Sequence, residues 1–203
     1  QMCIRDRNRL VKRSFDILVS LFVIVFIFSW LFPIMALLIV LESRGPVFFK
    51  QKRTGQDNKD FYCYKFRSMK VNDAAHSQQA VKNDDRITRI GNFIRKTSID
   101  EFPQFFNVLM GDMSIVGPRP HMLKHTEEYA KVVEKFMARH FVKPGITGLA
   151  QAKGYRGETS KVSQMQNRVK LDRFYVDNWS FWLDIKIVAM TVVVMVSGDD
   201  NAF

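Results

Sequence analysis

The sequence predicts a mainly helical α+β fold, in which a re-entrant membrane helix hairpin precedes a small cytosolic domain with a β-hairpin and interfacial helices. Three observations predict it. Residues 17–41 carry no charge, residues 47–67 hold two β-rich runs around a polar turn, and helical patterns cover most of the chain beyond residue 87. A chain of 203 residues, 47% hydrophobic and 25% charged, can bury a core, which excludes disordered, collagen and coiled-coil proteins.

The uncharged run from Ile17 to Leu41 is the strongest single signal in the chain. It is longer than a signal-peptide core and no small-residue cleavage site follows it, so the segment is expected to stay in the membrane. A straight helix of this length would reach roughly 37 Å, enough to cross a bilayer core of about 30 Å. Pro33, with Ser29 one turn before it, favours a break that divides the run into two pieces too short to cross.

Basic residues flank this run on both sides. Residues 1–70 contain 13 Lys+Arg and 5 Asp+Glu, so +8 of the net charge of +11 lies in this third of the chain. Basic flanks favour the cytoplasmic side of a membrane, and a re-entrant hairpin over residues 10–44 places both ends there. A tilted or kinked spanning helix is the alternative, since Pro-kinked spanning helices are common. The flanking residues are Arg5, Arg7, Arg9, Lys12 and Arg13 before the run and Arg44, Lys50, Lys52 and Arg53 after it.

Residues 45–203 are interpreted as a cytosolic, membrane-associated domain. A β-hairpin is predicted from Val47–Arg53 and Phe61–Arg67, and residues 72–85 are predicted to form a polar loop. Residues 185–196 form an apolar run too short to span, which predicts an interfacial or core helix. Further helices are predicted over Ile87–Lys96, Asp100–Met110, His121–His140 and Val162–Tyr175.

Several other features point away from competing functions. Residues 1–9 join no pattern that follows and are interpreted as an assembly scar or a truncated start. Cys3 and Cys63 have no CxxC spacing and no paired histidines, so neither a disulfide framework nor a zinc site is suggested and a reducing compartment fits best. His121 and His125 lie four residues apart without the glutamate of an HExxH motif, so a solvated helix face explains them. The basic, aromatic hairpin has no recognition motif for nucleic acid.

Two adjacent carboxylates, Asp100 and Glu101, fall at the start of a predicted helix. Pro103 fits a helix only in its first turn, so the helix should begin close to Asp100. A helix N-terminus stabilises anions, keeps a carboxylate ionised and favours a phosphate beside it. Ser98 and Glu101 also form an S-x-x-E capping-box pattern, so simple capping explains the pair as well when it is taken alone.

Basic residues accompany this pair. Arg95 lies one turn before it, Lys65 stands on the second hairpin strand, and Arg119 is fixed between Pro118 and Pro120 after an apolar run. A guanidinium fork, a lysine and a helix N-terminus are the usual means of holding pyrophosphate oxygens, and an aspartate can attack phosphorus. The combination predicts a phosphate-handling site, although each feature alone is weak.

Five stretches of the sequence carry a family resemblance: KRSFDI, YKFRSM, TSIDEFPQFFNVLMGDMSIVGPRP, VKPGITGLAQ and NWSFWLDIKI. From about Leu10 to its end the chain resembles the bacterial sugar transferases, the monotopic polyprenyl-phosphate phosphoglycosyl transferases. The pattern is most similar to the undecaprenyl-phosphate glucose phosphotransferases, which share the PRPHMLKHTE, RHFVKPGITG and GYRGET stretches.

The resemblance implies a two-step reaction at the cytoplasmic face of the bacterial inner membrane. Asp100 would attack the sugar-bearing phosphorus of a UDP-sugar, release UMP and keep a covalent phosphosugar, which undecaprenyl phosphate would then remove. Glu101 would assist proton transfer or metal positioning, and Mg²⁺ bound by Asp100 would neutralise phosphate charge. The product would enter exopolysaccharide, capsule or O-antigen synthesis.

The resemblance also implies binding residues and partners. The partners are a UDP-sugar, undecaprenyl phosphate and membrane lipid, without nucleic acid, and a homodimer stays open. The choice between UDP-glucose and UDP-galactose stays open as well. The residues that match substrate-binding positions are Lys65, Arg95, Pro118, Arg119, Pro120, Asp172 and Asp184.

Two departures from the family pattern leave the sugar undetermined. Where the family usually reads GITGWAQ-x-NG, this chain has Leu149 for the tryptophan and Lys153 for the asparagine. Many similar relatives carry extra N-terminal spans, which leaves open that this chain is the catalytic C-terminal portion of a longer protein. Two other functions stay open: a non-catalytic membrane-tethered scaffold, and an enzyme acting on a different lipid phosphate, such as a phosphatase.

Overall fold

A long N-terminal helical stretch leads into shorter helices and two small sheets. The computed structural model describes residues 2–72, 84–155 and 162–197, so the predicted polar loop over residues 72–85 lies almost entirely outside the described residues. The mainly helical α+β class is confirmed. The helices are α1 (Met2–Val23), α2 (Ser29–Glu42), α3 (Arg89–Lys96), α4 (Gln104–Met110), α5 (Leu123–Val132), α6 (Leu149–Ala152), α7 (Val162–Asp177) and α8 (Phe181–Ser197). The strands are β1 (Phe48–Thr54), β2 (Asp60–Phe66), β3 (Ser114–Val116) and β4 (Gly145–Thr147).

Helical backbone continues from α1 into α2 through a π turn at Ile24–Phe28. Ser29 keeps helical dihedral angles, φ −55° and ψ −40°, and its hydroxyl donates to the carbonyl of Val25 at 2.6 Å. Pro33 lies inside α2, so the proline does not end the helix. The predicted break at Ser29 and Pro33 is therefore not confirmed, and the re-entrant course of this segment stays a prediction.

By length and composition alone, one helix in the described part of the chain is able to cross a membrane. It covers Asn8–Glu42, 35 residues with a mean hydropathy of 2.8, and only 28% of its most apolar window is buried. Large apolar side chains, among them Phe22, Phe26 and Trp30, are exposed along it. An exposed apolar surface of this extent favours contact with lipid or another apolar partner.

Both ends of this long helix pack on the folded part of the chain. Near its start, Lys12 Nζ lies 2.7 Å from the buried Asp184 carboxylate, and the Asp16 carboxylate accepts the backbone N–H of Ile115 at 2.9 Å. At its end, the Glu42 carboxylate accepts the first two backbone N–H groups of α3 at 2.7 and 2.9 Å. The two ends of the apolar helix are therefore fixed to the same folded body.

The predicted β-hairpin is confirmed to within one residue at each end. Strands β1 and β2 pair antiparallel, and their register places Phe49 opposite Lys65 and Arg53 opposite Phe61. The connecting turn contains Asp57 with a left-handed φ of 53°, a conformation that short polar side chains tolerate. This hairpin carries Lys65 on the same face as Arg53.

A second, parallel pair of strands, β3 and β4, was not predicted. Ser114 pairs with Gly145 and Val116 pairs with Thr147. The two backbones approach so closely after β3 that a Cβ on Gly117 would lie 2.4 Å from the Lys143 carbonyl oxygen. The residue that follows β3 therefore has to be glycine, and the next residues leave the strand as the loop that carries Arg119.

The single helix predicted over His121–His140 is wrong. Helix α5 stops early, Lys135 adopts a left-handed φ of 60°, and a 3₁₀ turn over Phe136–Phe141 follows. Residues three apart share a face in a 3₁₀ turn, which buries Phe136 and Arg139 together. The other predicted helices are confirmed by α3, α4, α7 and α8.

An aromatic stack joins the long helix to the hairpin. Phe28 stacks on Phe66 with ring centroids 5.7 Å apart, and Phe32 stacks on Phe48 at 5.4 Å. Phe28 also meets Phe106 of α4 edge-on at 5.1 Å. Aromatic pairs of this kind add about 0.5–1.5 kcal/mol beyond the burial of their area. The stack fixes the long helix against both β2 and α4.

Phe28→Ala should destabilise the folded state by about 3–5 kcal/mol, because it empties a buried aromatic position. Phe28 is 6% exposed, whereas Phe26, two residues away, is 64% exposed. Thermal unfolding in detergent micelles measures the effect. Phe26→Ala is the matched control, and its unfolding midpoint should stay near that of the unsubstituted protein. Equal losses from the two variants would contradict the packing described here.

Candidate functional site

A short 3₁₀ turn over Ile99–Glu101 carries both predicted carboxylates, and Pro103 is the cap residue of α4 immediately after it. The helix start predicted near Asp100 is confirmed only in part, because helical backbone begins there as a 3₁₀ turn and α4 itself begins at Gln104. Asp100 and Glu101 are 8% and 7% exposed. The capping-box interpretation is wrong, because Ser98 gives this turn no side-chain cap and the Glu101 carboxylate binds side-chain cations.

The Glu101 carboxylate binds two cations from distant parts of the chain. Its Oε1 lies 2.7 Å from Lys65 Nζ and 2.6 Å from Arg119 Nη2. Arg119 Nη1 also donates to Oε2 at 3.4 Å. Asp100 Oδ2 lies 3.7 Å from the same Lys65 Nζ. The structure thus brings Lys65, Asp100, Glu101 and Arg119 into one group, which we call the dyad site.

The other predicted phosphate-binding residues surround the dyad site. Arg95 is half-buried in the last turn of α3, where its charge interacts with that of Asp100. Pro118 and Pro120 are buried on either side of Arg119. These prolines give the arginine a fixed backbone, since their φ angles cannot rotate.

The two carboxylates of the dyad site differ in their surroundings. Burial raises the pKa of Asp100 above its usual value; Lys65 acts against this shift and the charge of Glu101 adds to it. For Arg119, burial acts to lower the pKa, but the charge and hydrogen bond of Glu101 outweigh burial and raise it. Glu101 is therefore neutralised by two cations, while Asp100 is the less stabilised anion of the pair.

The two remaining acidic residues predicted at the site lie in separate ion pairs. Asp172 of α7 has Oδ2 2.7 Å from Arg139 Nη2. Asp184 of α8 binds Lys12 and accepts the Tyr175 hydroxyl at 2.7 Å. Both carboxylates are buried. Their ion-pair partners, Arg139 and Lys12, do not belong to the dyad site. Contact of Asp172 and Asp184 with a bound substrate therefore stays a prediction.

Sequence reasoning missed Asn107, a fully buried residue of α4. Its amide donates to the Tyr62 carbonyl at 2.7 Å, and its Oδ1 accepts the backbone N–H of Tyr64 at 3.0 Å. Asn107 thereby fixes the helix that starts beside Glu101 to the strand that carries Lys65. A polar residue inside the apolar run FFNVLM was the available signal, because a buried amide needs partners.

The two departures from the family pattern occupy different environments. Leu149 is buried in a core cluster that also contains Val116 and Tyr175. Lys153 is exposed at the end of α6. The first departure therefore changes core packing, and the second changes the surface.

The residues of the dyad site fit a magnesium ion that takes only one or two ligands from the protein. No group of three or more His, Cys, Asp or Glu side chains able to hold a metal occurs within residues 2–72, 84–155 and 162–197. Mg²⁺ in phosphate-handling sites uses one or two protein carboxylates and takes its other ligands from phosphates and water. Asp100 provides such a carboxylate, whereas the Glu101 oxygens are occupied by Lys65 and Arg119.

Comparison with known proteins identifies the family. The sequence model of the family described as "Bacterial sugar transferase" matches residues 7–198, nearly the whole chain. The chain belongs to the bacterial sugar transferase family.

Three similar relatives share the name UDP-glucose:undecaprenyl-phosphate glucose-1-phosphate transferase. The protein of Escherichia coli K12 is 52% identical over 187 residues, which cover 91% of this chain and 40% of that protein. The protein of Xanthomonas campestris pv. campestris is 51% identical over 178 residues, 85% of this chain and 37% of its own length. The protein of Klebsiella pneumoniae is 48% identical over 186 residues, which cover 91% of this chain and 40% of that protein. The chain spans about 40% of the length of these relatives.

Asp100→Asn should stabilise the folded protein at neutral pH, because it removes a buried charge. Burial raises the folded-state pKa of Asp100, so folding is favoured by its protonated form. The stability that protonated Asp100 provides is complete below the pKa of this residue in the unfolded chain. It is lost as the pH rises through the folded-state pKa of Asp100. The gain of the variant over the unsubstituted protein, about 0.5–2 kcal/mol at neutral pH, should therefore shrink towards zero in acid.

Thermal unfolding in metal-free buffer, from about pH 4 to pH 8, measures this difference. Asp60→Asn is the control, because Asp60 is exposed at the start of β2, and it should give no pH-dependent gain. A gain from Asp100→Asn that stays constant with pH, or a loss at neutral pH, would show that the buried charge is not destabilising.

Proposed function

We propose that the chain transfers a phospho-sugar from a UDP-sugar to undecaprenyl phosphate through a covalent phosphosugar on Asp100. The observation that carries this proposal is the pairing of a buried, poorly neutralised Asp100 with a Glu101 that already holds a lysine and an arginine. The names of the relatives, which specify UDP-glucose and undecaprenyl phosphate, support the two substrates.

In the first step an Asp100 carboxylate oxygen attacks the sugar-bearing phosphorus of the UDP-sugar. A P–O bond to Asp100 forms while the bond to the bridging oxygen breaks, and UMP leaves with the electron pair. Lys65 lies 3.7 Å from Asp100 Oδ2 and Arg119 binds the adjacent Glu101, so both cations can stabilise the charge that develops on the phosphoryl oxygens.

In the second step a phosphate oxygen of undecaprenyl phosphate attacks the same phosphorus. The bond between phosphorus and Asp100 breaks, which restores the carboxylate and gives undecaprenyl-diphospho-sugar. Glu101 acts in both steps by holding Lys65 and Arg119 in place. Its contacts favour this role over proton transfer.

Asp100 and the phosphates of the donor would hold the magnesium ion. The chemistry that the ion supplies when bound is neutralisation of phosphate charge. Lys65, Arg95 and Arg119 orient the donor phosphates by charge and hydrogen bonding.

The long apolar helix supports a re-entrant course at the cytoplasmic membrane. Lys12 binds Asp184 near its start and Glu42 binds α3 at its end, so a simple crossing would break one of these two sets of contacts. Entry and exit on the same, cytoplasmic side keep both sets and agree with the basic flanks. The site would then lie at the membrane surface, within reach of a lipid phosphate.

Cysteine labelling tests this topology in a Cys3→Ser, Cys63→Ser background. Arg9→Cys and Arg44→Cys place one thiol at each exposed end of the helix. A membrane-impermeant maleimide should label both positions in inside-out vesicles and neither in right-side-out vesicles. Permeabilised vesicles are the control for thiol reactivity, and labelling of the two positions from opposite sides would establish a spanning helix instead.

UMP release by purified protein in detergent tests the reaction itself. With Mg²⁺ and undecaprenyl phosphate we expect sustained release from UDP-glucose, with UDP-galactose as the second donor, and loss of release on chelation. Asp100→Asn should lower the rate at least about 10³-fold, as loss of a nucleophile does. Asp60→Asn, on the exposed edge of the hairpin, should keep the rate of the unsubstituted protein.

Without the lipid acceptor, intact-mass spectrometry should detect one phosphohexose bound to the protein and none on Asp100→Asn. Inorganic phosphate in place of UMP would establish a phosphatase. Folded protein that releases neither product from any donor would support a scaffold.

A further inference from the structure

The loop that carries Arg119 is held by its carbonyl groups. The Pro118 carbonyl accepts the backbone N–H of Gly145 at 3.0 Å. The next two carbonyls, those of Arg119 and Pro120, are bound by arginine side chains from two other parts of the chain. Side-chain donors of this kind are costly to bury, so their use on consecutive residues calls for an explanation.

Arg139 binds the carbonyl of Arg119 from the 3₁₀ turn that follows α5. Its Nη2 donates to the Arg119 oxygen at 2.8 Å and lies 2.7 Å from Asp172 Oδ2. Its Nη1 donates to Nδ1 of His121 at 2.6 Å. The Arg139 side chain is 1% exposed. Three partners therefore fix the plane of its guanidinium, which a single ammonium group could not satisfy in the same way.

Arg53 binds the neighbouring carbonyl from β1. Its Nη1 donates to the Pro120 oxygen at 3.1 Å, and its Nη2 donates to Gln51 Oε1 at 2.6 Å. The end of β1 also joins the loop through its backbone, because Thr54 N–H donates to the carbonyl of His121 at 3.1 Å. The loop is thus clamped between the hairpin and the 3₁₀ turn.

The position of this loop decides how Arg119 meets Glu101. The guanidinium approaches both oxygens of the carboxylate, Oε1 at 2.6 Å and Oε2 at 3.4 Å. A two-point contact of this kind depends on the direction from which the side chain arrives. Displacement of a charged group by about 1 Å can cost a reaction roughly 10²-fold in rate.

We propose that Arg53 and Arg139 are positioning residues for the transfer reaction, which fix the loop so that Arg119 is aligned on Glu101 and the donor phosphate. This inference rests on the proposed function. Asp172 takes part indirectly, since it neutralises Arg139 and keeps that guanidinium in place. Asp172 therefore supports the loop indirectly, because it holds the Arg139 side chain that binds the Arg119 carbonyl.

A double-mutant cycle separates positioning from general support of the fold. Arg139→Lys keeps a cation beside Asp172 but cannot keep all three contacts of the guanidinium. If Arg139 acts through Arg119, its replacement should lower kcat roughly 10-fold in the unsubstituted protein, with little change in KM for the donor. In an Arg119→Lys background the loss should be below about 3-fold, because a lysine on a flexible stem depends less on the direction of its backbone.

Arg53→Lys is measured in the same cycle as a second, independent variant. Its fold-loss of kcat should likewise be smaller in the Arg119→Lys background, and this result holds even if Arg139→Lys lowers stability. Arg173→Lys is the matched control, because Arg173 follows Asp172 on α7 but faces the cavity lined by Val133 and Lys135. It should leave UMP release unchanged in both backgrounds, and thermal unfolding checks that every variant is folded.

An equal fold-loss of kcat in the unsubstituted and the Arg119→Lys backgrounds would overturn the positioning role. Replacement of an arginine that only supports the fold should lower kcat by the same factor in both backgrounds. Unchanged activity in both Arg53→Lys and Arg139→Lys would overturn it as well. The absence of UMP release from the unsubstituted protein is a different result, which would contradict the proposed function instead.

Discussion

The contact of Glu101 with Lys65 and Arg119 is the interaction on which the arrangement of the site depends. Lys65 arrives on β2 and Arg119 on the loop after β3, and both reach the same carboxylate oxygen within 2.7 Å. Without that anion the two cations would repel each other at this separation. Because the group is largely buried, removal of Glu101 would leave the charges of Lys65 and Arg119 without the carboxylate that they share. Strand, turn and loop are therefore positioned as one unit, and Asp100 is carried with them.

The apolar helix belongs to this unit as well as to the surface that we propose contacts lipid. Arg13 donates to the carbonyls of Val108 and Leu109 at 2.6 and 2.8 Å, at the end of α4 where a cation is favoured. Lys12 donates to the carbonyl of Val116 at 3.0 Å, the last residue of β3. The long apolar helix thus contacts α4, which follows the dyad carboxylates, and β3, which precedes the loop that carries Arg119. The depth of the helix in a membrane would set the depth of the site.

Local chemistry explains which features could be predicted from the sequence. The β-rich runs on either side of the polar turn at residues 54–58 predict the hairpin of β1 and β2. Pro103 predicts that helical backbone begins close to Asp100, so both features follow from neighbouring residues. The pairing of β3 with β4 could not be predicted, because each strand has three residues and shows no periodicity. The partners of Asp172 and Asp184 could not be predicted either. Their ion pairs join positions more than 30 and 170 residues apart, and such contacts are set by packing rather than by sequence spacing.

The charges of the dyad site also support the different roles that we propose for its two carboxylates. Glu101 offers both of its oxygens to Arg119 and one to Lys65, whereas Asp100 approaches Lys65 only at 3.7 Å. The two cations are thus already engaged by Glu101, and Asp100, the residue that we propose attacks phosphorus, keeps an oxygen for that reaction. With Arg95 the group counts three cations against two carboxylates, a net charge of +1. A diphosphate with two negative charges would bring it to −1, and a divalent cation would return it to +1, so this charge count supports our proposal that magnesium is held jointly by Asp100 and the donor phosphates.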